Sequence, residues 1–102
     1  MSKNILLGIT GSVAASKSEI LFKNLSIDNN VKIICTDAGL LYLSDDFIKN
    51  EKIISSWKDS PGSPHIELAR WADEILIYPA TANFISKMSM GIADDLLLST
   101  IL

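Results

Sequence analysis

The clearest candidate for chemistry lies in the segment 64–73, where the chain's only histidine, His65, opens a predicted helix. Histidine is the side chain whose unperturbed titration lies nearest neutral pH, so a positioned imidazole can move protons under physiological conditions. The partial positive charge of a helix N-terminus disfavours the imidazolium and favours the neutral imidazole that a general base requires. His65 is therefore a candidate base, although a lone histidine that follows a Pro/Gly/Ser loop is more often a solvated surface residue.

A second candidate is the turn 8–13, which follows an apolar run and opens another predicted helix. Glycine allows backbone N–H groups to approach a phosphate closely, and a helix N-terminus favours an anion there. Thr10 and Ser12 add hydroxyl donors. The glycine spacing fits neither the dinucleotide fingerprint nor the Walker pattern, so a plain turn with Ser12 as the helix N-cap explains these residues equally well.

Two more segments follow predicted strands and could contact a ligand. Asp37 stands where a dinucleotide fold places its ribose-binding acid, while Thr36 could donate to a phosphate, and ordinary turn chemistry explains both. In the segment 79–83, small residues leave room for a flat ligand against the backbone. Asn83 could pair with a heterocycle edge through its donor and its acceptor, and Thr81 could equally be a helix cap.

Hydrophobic patterning predicts the elements that position these residues. Continuous apolar runs predict strands at 4–9, 31–35 and 74–78, and periodicity and caps predict helices at 13–25, 40–49 (with an internal N-cap at Ser44), 65–73, 82–90 (closed by Gly91) and 94–102. The first helix is expected to pack through one stripe, formed by Val13, Ile20, Leu21 and Leu25. The only clear loop by composition is 57–64.

Strands that alternate with helices predict an α/β fold with a parallel sheet covered by helices on both faces. Ligands in such sheets bind beyond the carboxyl ends of the strands, and the three candidate loops all lie at that edge. A length of 102 residues allows a single domain, 1–102.

Composition excludes several classes of function. The net charge of -3 and scattered lysines argue against a nucleic-acid surface. A single cysteine, in the apolar run before Thr36, excludes an internal disulfide and predicts a buried thiol, and one histidine with one cysteine makes a metal site implausible. Since no apolar run approaches the roughly 20 residues of a membrane span, the chain is expected to be cytoplasmic.

Four motifs in series, GITGSVAASK, HIELARWAD, PATAN and GIADDLL, resemble the flavin-containing cysteine decarboxylase family over Ile5–Leu102. The similarity is greatest to the phosphopantothenoylcysteine decarboxylase part of the bifunctional coenzyme A biosynthesis flavoproteins. Peptidyl-cysteine decarboxylases are less similar around WAD, and flavin prenyltransferases differ at PATAN. The resemblance implies a flavodoxin-like or Rossmann-like three-layer fold that binds FMN.

The resemblance also assigns site residues. His65 matches the catalytic base, and no residue matches a metal ligand. Phe84 stands where threonine is common, which puts that one contact in doubt. The positions that match FMN contacts are Gly11, Ser12, Val13, Thr36, Thr81, Ala82, Asn83 and Phe84.

The activity implied by the resemblance is decarboxylation of 4′-phosphopantothenoylcysteine to 4′-phosphopantetheine. In such enzymes flavin oxidises the cysteine side chain toward a thioaldehyde, and the carboxylate, now beta to a thiocarbonyl, leaves as carbon dioxide. The substrate is a small molecule. Family members are homotrimers or assemblies of trimers, with FMN at the subunit interfaces.

The chain departs from the family pattern after GIADDLL. The family continues with a further strand, a PAMN-type motif whose asparagine holds the substrate carboxylate, and a mobile clamp, none of which is present here. The apolar segment 96–102 predicts a buried helix, so the chain is expected to be truncated or to need a partner. A non-catalytic FMN-binding or regulatory relative and a peptidyl-cysteine decarboxylase stay open as alternatives, and a nicotinamide-dependent reductase ranks well behind them.

Overall fold

A three-stranded parallel sheet organises the part of the chain that the structure describes. The structure is a computed structural model that describes residues 2–59 and 62–102. The strands β1 (Asn4–Ile9), β2 (Asn30–Cys35) and β3 (Glu74–Ile77) lie in the order β2-β1-β3. β1 is the central strand and pairs in parallel with both neighbours, in register Ile5–Val31 on one side and Ile5–Glu74 on the other. The predicted strands and the parallel sheet are confirmed.

Six α-helices and two 3-10 helices lie between and after these strands within the described residues. The α-helices are α1 (Ser18–Ser26), α2 (Asp37–Leu40), α3 (Asp45–Asn50), α4 (Pro64–Trp71), α5 (Ala82–Ser89) and α6 (Leu96–Ile101), and the 3-10 helices are Val13–Lys17 and Trp57–Asp59. Ser60 and Pro61 of the predicted loop lie outside the described residues. No helix among those described has the length and apolarity to cross a membrane.

The sheet carries a hydrophobic core on each face, because successive side chains of a strand point to opposite faces. Leu7 and Ile9 belong to one core, together with Ile33 and residues of the helices that surround it. Leu6 and Ile34 belong to the other core, with residues of α4, α5 and α6. Helices therefore cover both faces, as the sequence predicts.

The first predicted helix differs from expectation in its opening turn and in its packing face. It begins as the 3-10 helix Val13–Lys17 and becomes α-helical only at Ser18. The tighter winding changes the phase of the side chains, and the fully buried residues are Ala15 and Ser18. Of the predicted stripe, Leu21 packs against the core and Leu25 is partly buried, whereas the prediction is wrong for Val13 and Ile20, which are 76% and 65% exposed.

The interrupted helix predicted at 40–49 is divided between α2 and α3. As predicted, Ser44 is an N-cap, and its hydroxyl accepts a hydrogen bond from the Phe47 N–H at 3.2 Å. The first part begins earlier than expected, at Asp37, because Thr36 caps α2.

α6 is buried, as its apolar sequence predicts. Leu96, Leu97 and Leu98 are each at most 1% exposed and belong to the core beneath α4 and α5.

β3 differs from the expected strand that is covered on both faces. Ile75 and Leu76 are 40% and 38% exposed, because β3 is an edge strand in the described sheet.

The burial of α6 leads to a stability prediction. Replacement of the fully buried Leu98 by alanine removes packed methyl groups and leaves a cavity, so the free energy of unfolding should fall by about 2–5 kcal/mol. The matched control is Leu102→Ala at the end of the same helix, where the side chain is 58% exposed and the change should be below about 1 kcal/mol. Chemical denaturation measures both, and equal losses would contradict the packing described for α6.

Candidate functional site

The carboxyl ends of the three strands meet around one cavity of about 400 Å³. The loop after each strand contributes to its wall, as the sequence predicts for a parallel sheet. The lining residues are Thr10 and Gly11 after β1, Thr36, Asp37 and Ala38 after β2, Thr81, Asn83 and Phe84 after β3, and Lys87, Asp94, Asp95 and Leu98.

Thr10 holds the loops after β1 and β3 together. Its hydroxyl, on a residue only 2% exposed, donates to the Pro79 carbonyl oxygen and accepts from the Thr81 N–H at 3.1 Å. The Thr10 N–H donates to the same carbonyl at 3.3 Å. The sequence makes Thr10 a candidate donor to a ligand in a turn that ordinary turn chemistry explains equally well, and in the structure its hydroxyl donates to the Pro79 carbonyl oxygen.

Gly11 allows the loops after β1 and β2 to approach each other. A Cβ atom at this position would lie 2.5 Å from the Ala38 Cβ and 3.0 Å from the Ala38 carbonyl carbon. The second of these atoms is backbone, so it cannot be displaced without moving the loop. Gly11 therefore sets the distance between two walls of the cavity.

Three hydroxyl groups cap the helices that begin at this edge. Ser12, Thr36 and Thr81 accept hydrogen bonds from the N–H groups of Ala14 (3.1 Å), Gly39 (3.2 Å) and Phe84 (3.1 Å). Within residues 2–59 and 62–102, none of the three donates to a protein acceptor, so each hydroxyl proton is available to a ligand. Capping and ligand binding, which the sequence could not separate, are therefore compatible.

The structure divides the residues predicted to contact FMN into two groups. Gly11, Thr36, Thr81, Asn83 and Phe84 line the cavity, whereas Ser12, Val13 and Ala82 are adjacent in sequence and do not line it. The Phe84 side chain is 4% exposed and packs in the core beside α6. Threonine is common at this position in the family that the sequence resembles, whereas in this chain the position holds a core residue.

The charged residues of the cavity wall were missed by the sequence interpretation, apart from Asp37. The Lys87 ammonium forms an ion pair with the Asp94 carboxylate at 2.7 Å, and this hydrogen bond raises the pKa of Lys87. Asp95 caps α6 by accepting from the Leu98 N–H at 2.8 Å. An acid followed by an apolar run was an available N-cap signal for Asp95, but no local pattern indicates the Lys87–Asp94 pair.

His65 lies in the first turn of α4 and is not among the residues that line the cavity. Its Nδ1 accepts a hydrogen bond from the Trp57 indole Nε1–H at 3.1 Å. The two rings meet edge to face, with centroids 5.9 Å apart. The described chain thus brings the three predicted flavin loops together, and His65 has a different neighbour that the sequence did not predict.

The single cysteine follows its prediction as a structural thiol. Cys35 is fully buried at the end of β2, and desolvation raises its pKa to about 12. A thiol that stays protonated is a poor nucleophile. Among the described residues, no group of three or more His, Cys, Asp or Glu side chains is arranged to hold a metal ion.

A family model described as Flavoprotein matches residues 1–102. Among curated proteins, one from Dictyostelium discoideum, provisionally named phosphopantothenoylcysteine decarboxylase, is 39% identical over 97% of the chain and 56% of its own length. The coenzyme A biosynthesis bifunctional protein CoaBC of Bacillus subtilis is 36% identical over 99% of the chain and 27% of its own length.

Solved structures show the same fold. The FMN-binding protein AtHal3 superimposes with a TM-score of 0.85 at 30% identity, covering 99% of this chain and 59% of its own. A C175S mutant of a PPC decarboxylase complexed with pantothenoylaminoethenethiol gives a TM-score of 0.87 at 31% identity, covering 99% and 60%. The flavodoxin-like α/β fold is thereby confirmed, and the chain spans about three fifths of these solved chains.

The Thr10 hydrogen bonds lead to a prediction about the site. Thr10→Val keeps the side-chain shape but removes the hydroxyl, leaving the Thr81 N–H without its acceptor. We expect the free energy of unfolding to fall by about 1–3 kcal/mol, as for other buried groups that lose a partner. Thr10→Ser keeps the hydroxyl and should lose less. Denaturant unfolding measures both, and a Thr10→Val protein as stable as Thr10→Ser would contradict a linking role for the hydroxyl.

Proposed function

Because this chain belongs to the Flavoprotein family, we propose that it binds FMN at the carboxyl edge of its sheet and serves in the decarboxylation of 4′-phosphopantothenoylcysteine. The observation that supports this most strongly is the convergence of all three predicted flavin loops on one cavity. The product would be 4′-phosphopantetheine, an intermediate of coenzyme A biosynthesis, with the cytoplasm as the proposed site of action.

The residues of the cavity fit FMN by their donors and their shape. A volume of about 400 Å³ lies within the range of small-molecule pockets. Gly11 lines the cavity with backbone alone, and the unused hydroxyl protons of Thr36 and Thr81 suit phosphate or ribityl oxygens. The Asn83 amide offers a donor and an acceptor to the edge of a flavin ring.

The cavity wall contains three carboxylates, those of Asp37, Asp94 and Asp95, and one ammonium, that of Lys87. Lys87 neutralises Asp94, and Asp95 accepts a hydrogen bond as the cap of α6. An anionic group of the ligand is therefore expected to bind through the N–H and O–H donors of the loops of Gly11 and Thr36, which must outweigh the charge of Asp37.

Bound FMN would supply the two-electron oxidation of the carbon that carries the substrate thiol. The protein's contribution is to bind, to orient and to handle protons. His65 is the proposed active-site base, as the only imidazole of the chain. Its candidacy is supported by its position at the N-terminus of a helix, although it lies outside the wall of the cavity.

The separation of His65 from the cavity supports an assembly in which subunits share a site. We propose a homotrimer, or an assembly of trimers, with FMN held between chains. Two apolar side chains beside the loops of the cavity are exposed, Val13 at 76% and Leu41 at 83%. Exposed apolar surface next to a binding site is typical of an interface.

A flavin-binding prediction tests the proposed cavity. Gly11→Ala introduces a Cβ 2.5 Å from the Ala38 Cβ, so the two loops must separate. An overpacking cost of about 1–3 kcal/mol predicts that FMN affinity falls roughly 5- to 150-fold. Ala38→Gly in the same protein removes the clashing methyl group and should restore part of the affinity.

Quenching of flavin fluorescence during titration, together with the absorbance of the purified protein, measures this binding. An unchanged affinity in Gly11→Ala would place FMN elsewhere. A wild-type chain that cannot be reconstituted with FMN would overturn the cofactor proposal.

A second prediction concerns the reaction. In single-turnover assays of FMN-loaded protein, His65→Asn should release carbon dioxide from 4′-phosphopantothenoylcysteine roughly 100-fold more slowly or worse, the scale of lost acid–base catalysis. Equal rates would remove His65 from the mechanism. A wild-type protein that binds FMN and releases none would identify a non-catalytic relative, and release only from a peptide with a C-terminal cysteine would change the substrate class.

A further inference from the structure

The contact between Trp57 and His65 fixes which imidazole nitrogen accepts a hydrogen bond. An indole Nε1–H can only donate, so the nitrogen it meets, Nδ1 of His65, must carry its lone pair. In the neutral imidazole only one nitrogen is protonated. The proton of neutral His65 is therefore on Nε2.

The segment that carries Trp57 is anchored to the sheet. Ile54 forms a parallel bridge to Ile34, with the Cys35 N–H donating to the Ile54 carbonyl oxygen at 2.9 Å and the Ile54 N–H donating to the Ile33 carbonyl oxygen at 3.2 Å. The segment at Ile54 thus runs in the direction of β2, toward the edge where the cavity lies. Trp57 follows three residues later.

A carboxylate closes the turn in which Trp57 lies. Asp59 accepts hydrogen bonds from the Ser55 N–H at 2.8 Å, the Ser55 hydroxyl at 3.1 Å and the Ser56 N–H at 3.1 Å. The backbone hydrogen bond from Ser55 is the largest effect that lowers the pKa of Asp59, so the same contacts that close the turn favour the charged carboxylate. The position of the indole is thus set by fixed hydrogen bonds on both sides of it in sequence.

We propose that Trp57 is a positioning residue that holds neutral His65 in its Nε2-protonated form, so that the imidazole offers a bound group an N–H donor. This inference rests on the proposed function for what the donor contacts. A substrate with a carboxylate supplies a suitable acceptor. His65 can take up a proton only at Nδ1, and it must release Trp57 to do so. This refines the predicted base role, because no lone pair is available on Nε2 in this arrangement.

The chain's single histidine makes the proposal directly testable by ¹⁵N NMR, because one imidazole gives one set of signals. The spectra are recorded at a pH high enough that a further rise in pH no longer shifts the imidazole signals, which selects the neutral form. We expect protonation at Nε2 and a scalar coupling through the hydrogen bond between the Trp57 Nε1 and the His65 Nδ1. A proton on Nδ1 in the wild-type protein would overturn the proposal.

Trp57→Phe keeps an aromatic edge against the imidazole but removes the donor. The coupling should vanish, and the ratio of the Nε2-protonated to the Nδ1-protonated form should fall roughly three- to tenfold, the effect of one ordinary hydrogen bond. An unchanged ratio would show that Trp57 does not set the tautomer.

Two variants that change the acceptor, His65, provide the matched control for the change of the donor in Trp57→Phe. The amide oxygen of His65→Asn can take the place of Nδ1 and should keep the Trp57 N–H protected from exchange with solvent. His65→Leu offers no acceptor and should expose that N–H. Equal exchange rates in the wild type and His65→Leu would overturn the proposal even where Trp57→Phe fails to fold.

None of these measurements requires FMN or turnover, so the two proposals fail separately. A chain with the expected tautomer and coupling that never binds FMN would overturn the proposed function alone. A chain that binds FMN but carries its imidazole proton on Nδ1 would overturn the role of Trp57 alone.

Discussion

The parallel pairing of β1 with a strand on each side is the constraint on which the rest of the structure depends. A central strand with both faces covered must be apolar at every position, and Leu6, Leu7 and Ile9 are all fully buried. Parallel partners require crossover helices, which supply the layers on both faces. The same pairing brings the carboxyl ends of all three strands to one edge, so the cavity is a consequence of the sheet and not an addition to it.

The width of that cavity is set by two small features at the end of β1. The Thr10 hydroxyl joins its loop to the loop after β3, and the missing side chain of Gly11 lets the loop after β2 come close. If the turn were interpreted only as a ligand site, the Thr10 hydroxyl and the space beside Gly11 would both be assigned to the ligand. In the structure both serve contacts within the protein. The donors that remain are backbone N–H groups and the protons of the capping hydroxyls, for which the described residues provide no acceptor. The proposed flavin site therefore needs few residues whose only role is binding.

The sequence predicted β1 with its bounds. An apolar run that leads into a glycine-containing turn is typical of a strand in an α/β pattern. The sequence predicted the Ser44 cap for a similarly local reason. It failed for Val13 and Ile20 because a 3-10 turn changes the phase of the side chains, which a pattern with a period of 3.6 residues does not represent. The exposure of Ile75 and Leu76 could not be predicted either, since position within a sheet is not encoded by the composition of a strand. The contact of Trp57 with His65 could not be predicted, because it depends on a turn that the Asp59 carboxylate closes and on how that turn lies against α4.

The cavity proposed for FMN and the imidazole of His65 are supported by different elements of this chain. The cavity is built by loops that β1 ties together, whereas His65 depends on α4 and on a segment anchored to the outer edge of β2. β2 contributes to both, through Thr36 on one side and the bridge of Ile34 to Ile54 on the other. α6 also links them, since its Leu98 lines the cavity and lies in one core with Leu68 of α4. His65 is not part of the cavity wall, so in the proposed assembly the imidazole of one chain would meet a group bound in the cavity of another. The Nε2–H would then be the imidazole group that meets the ligand, because Nδ1 accepts the hydrogen bond of Trp57.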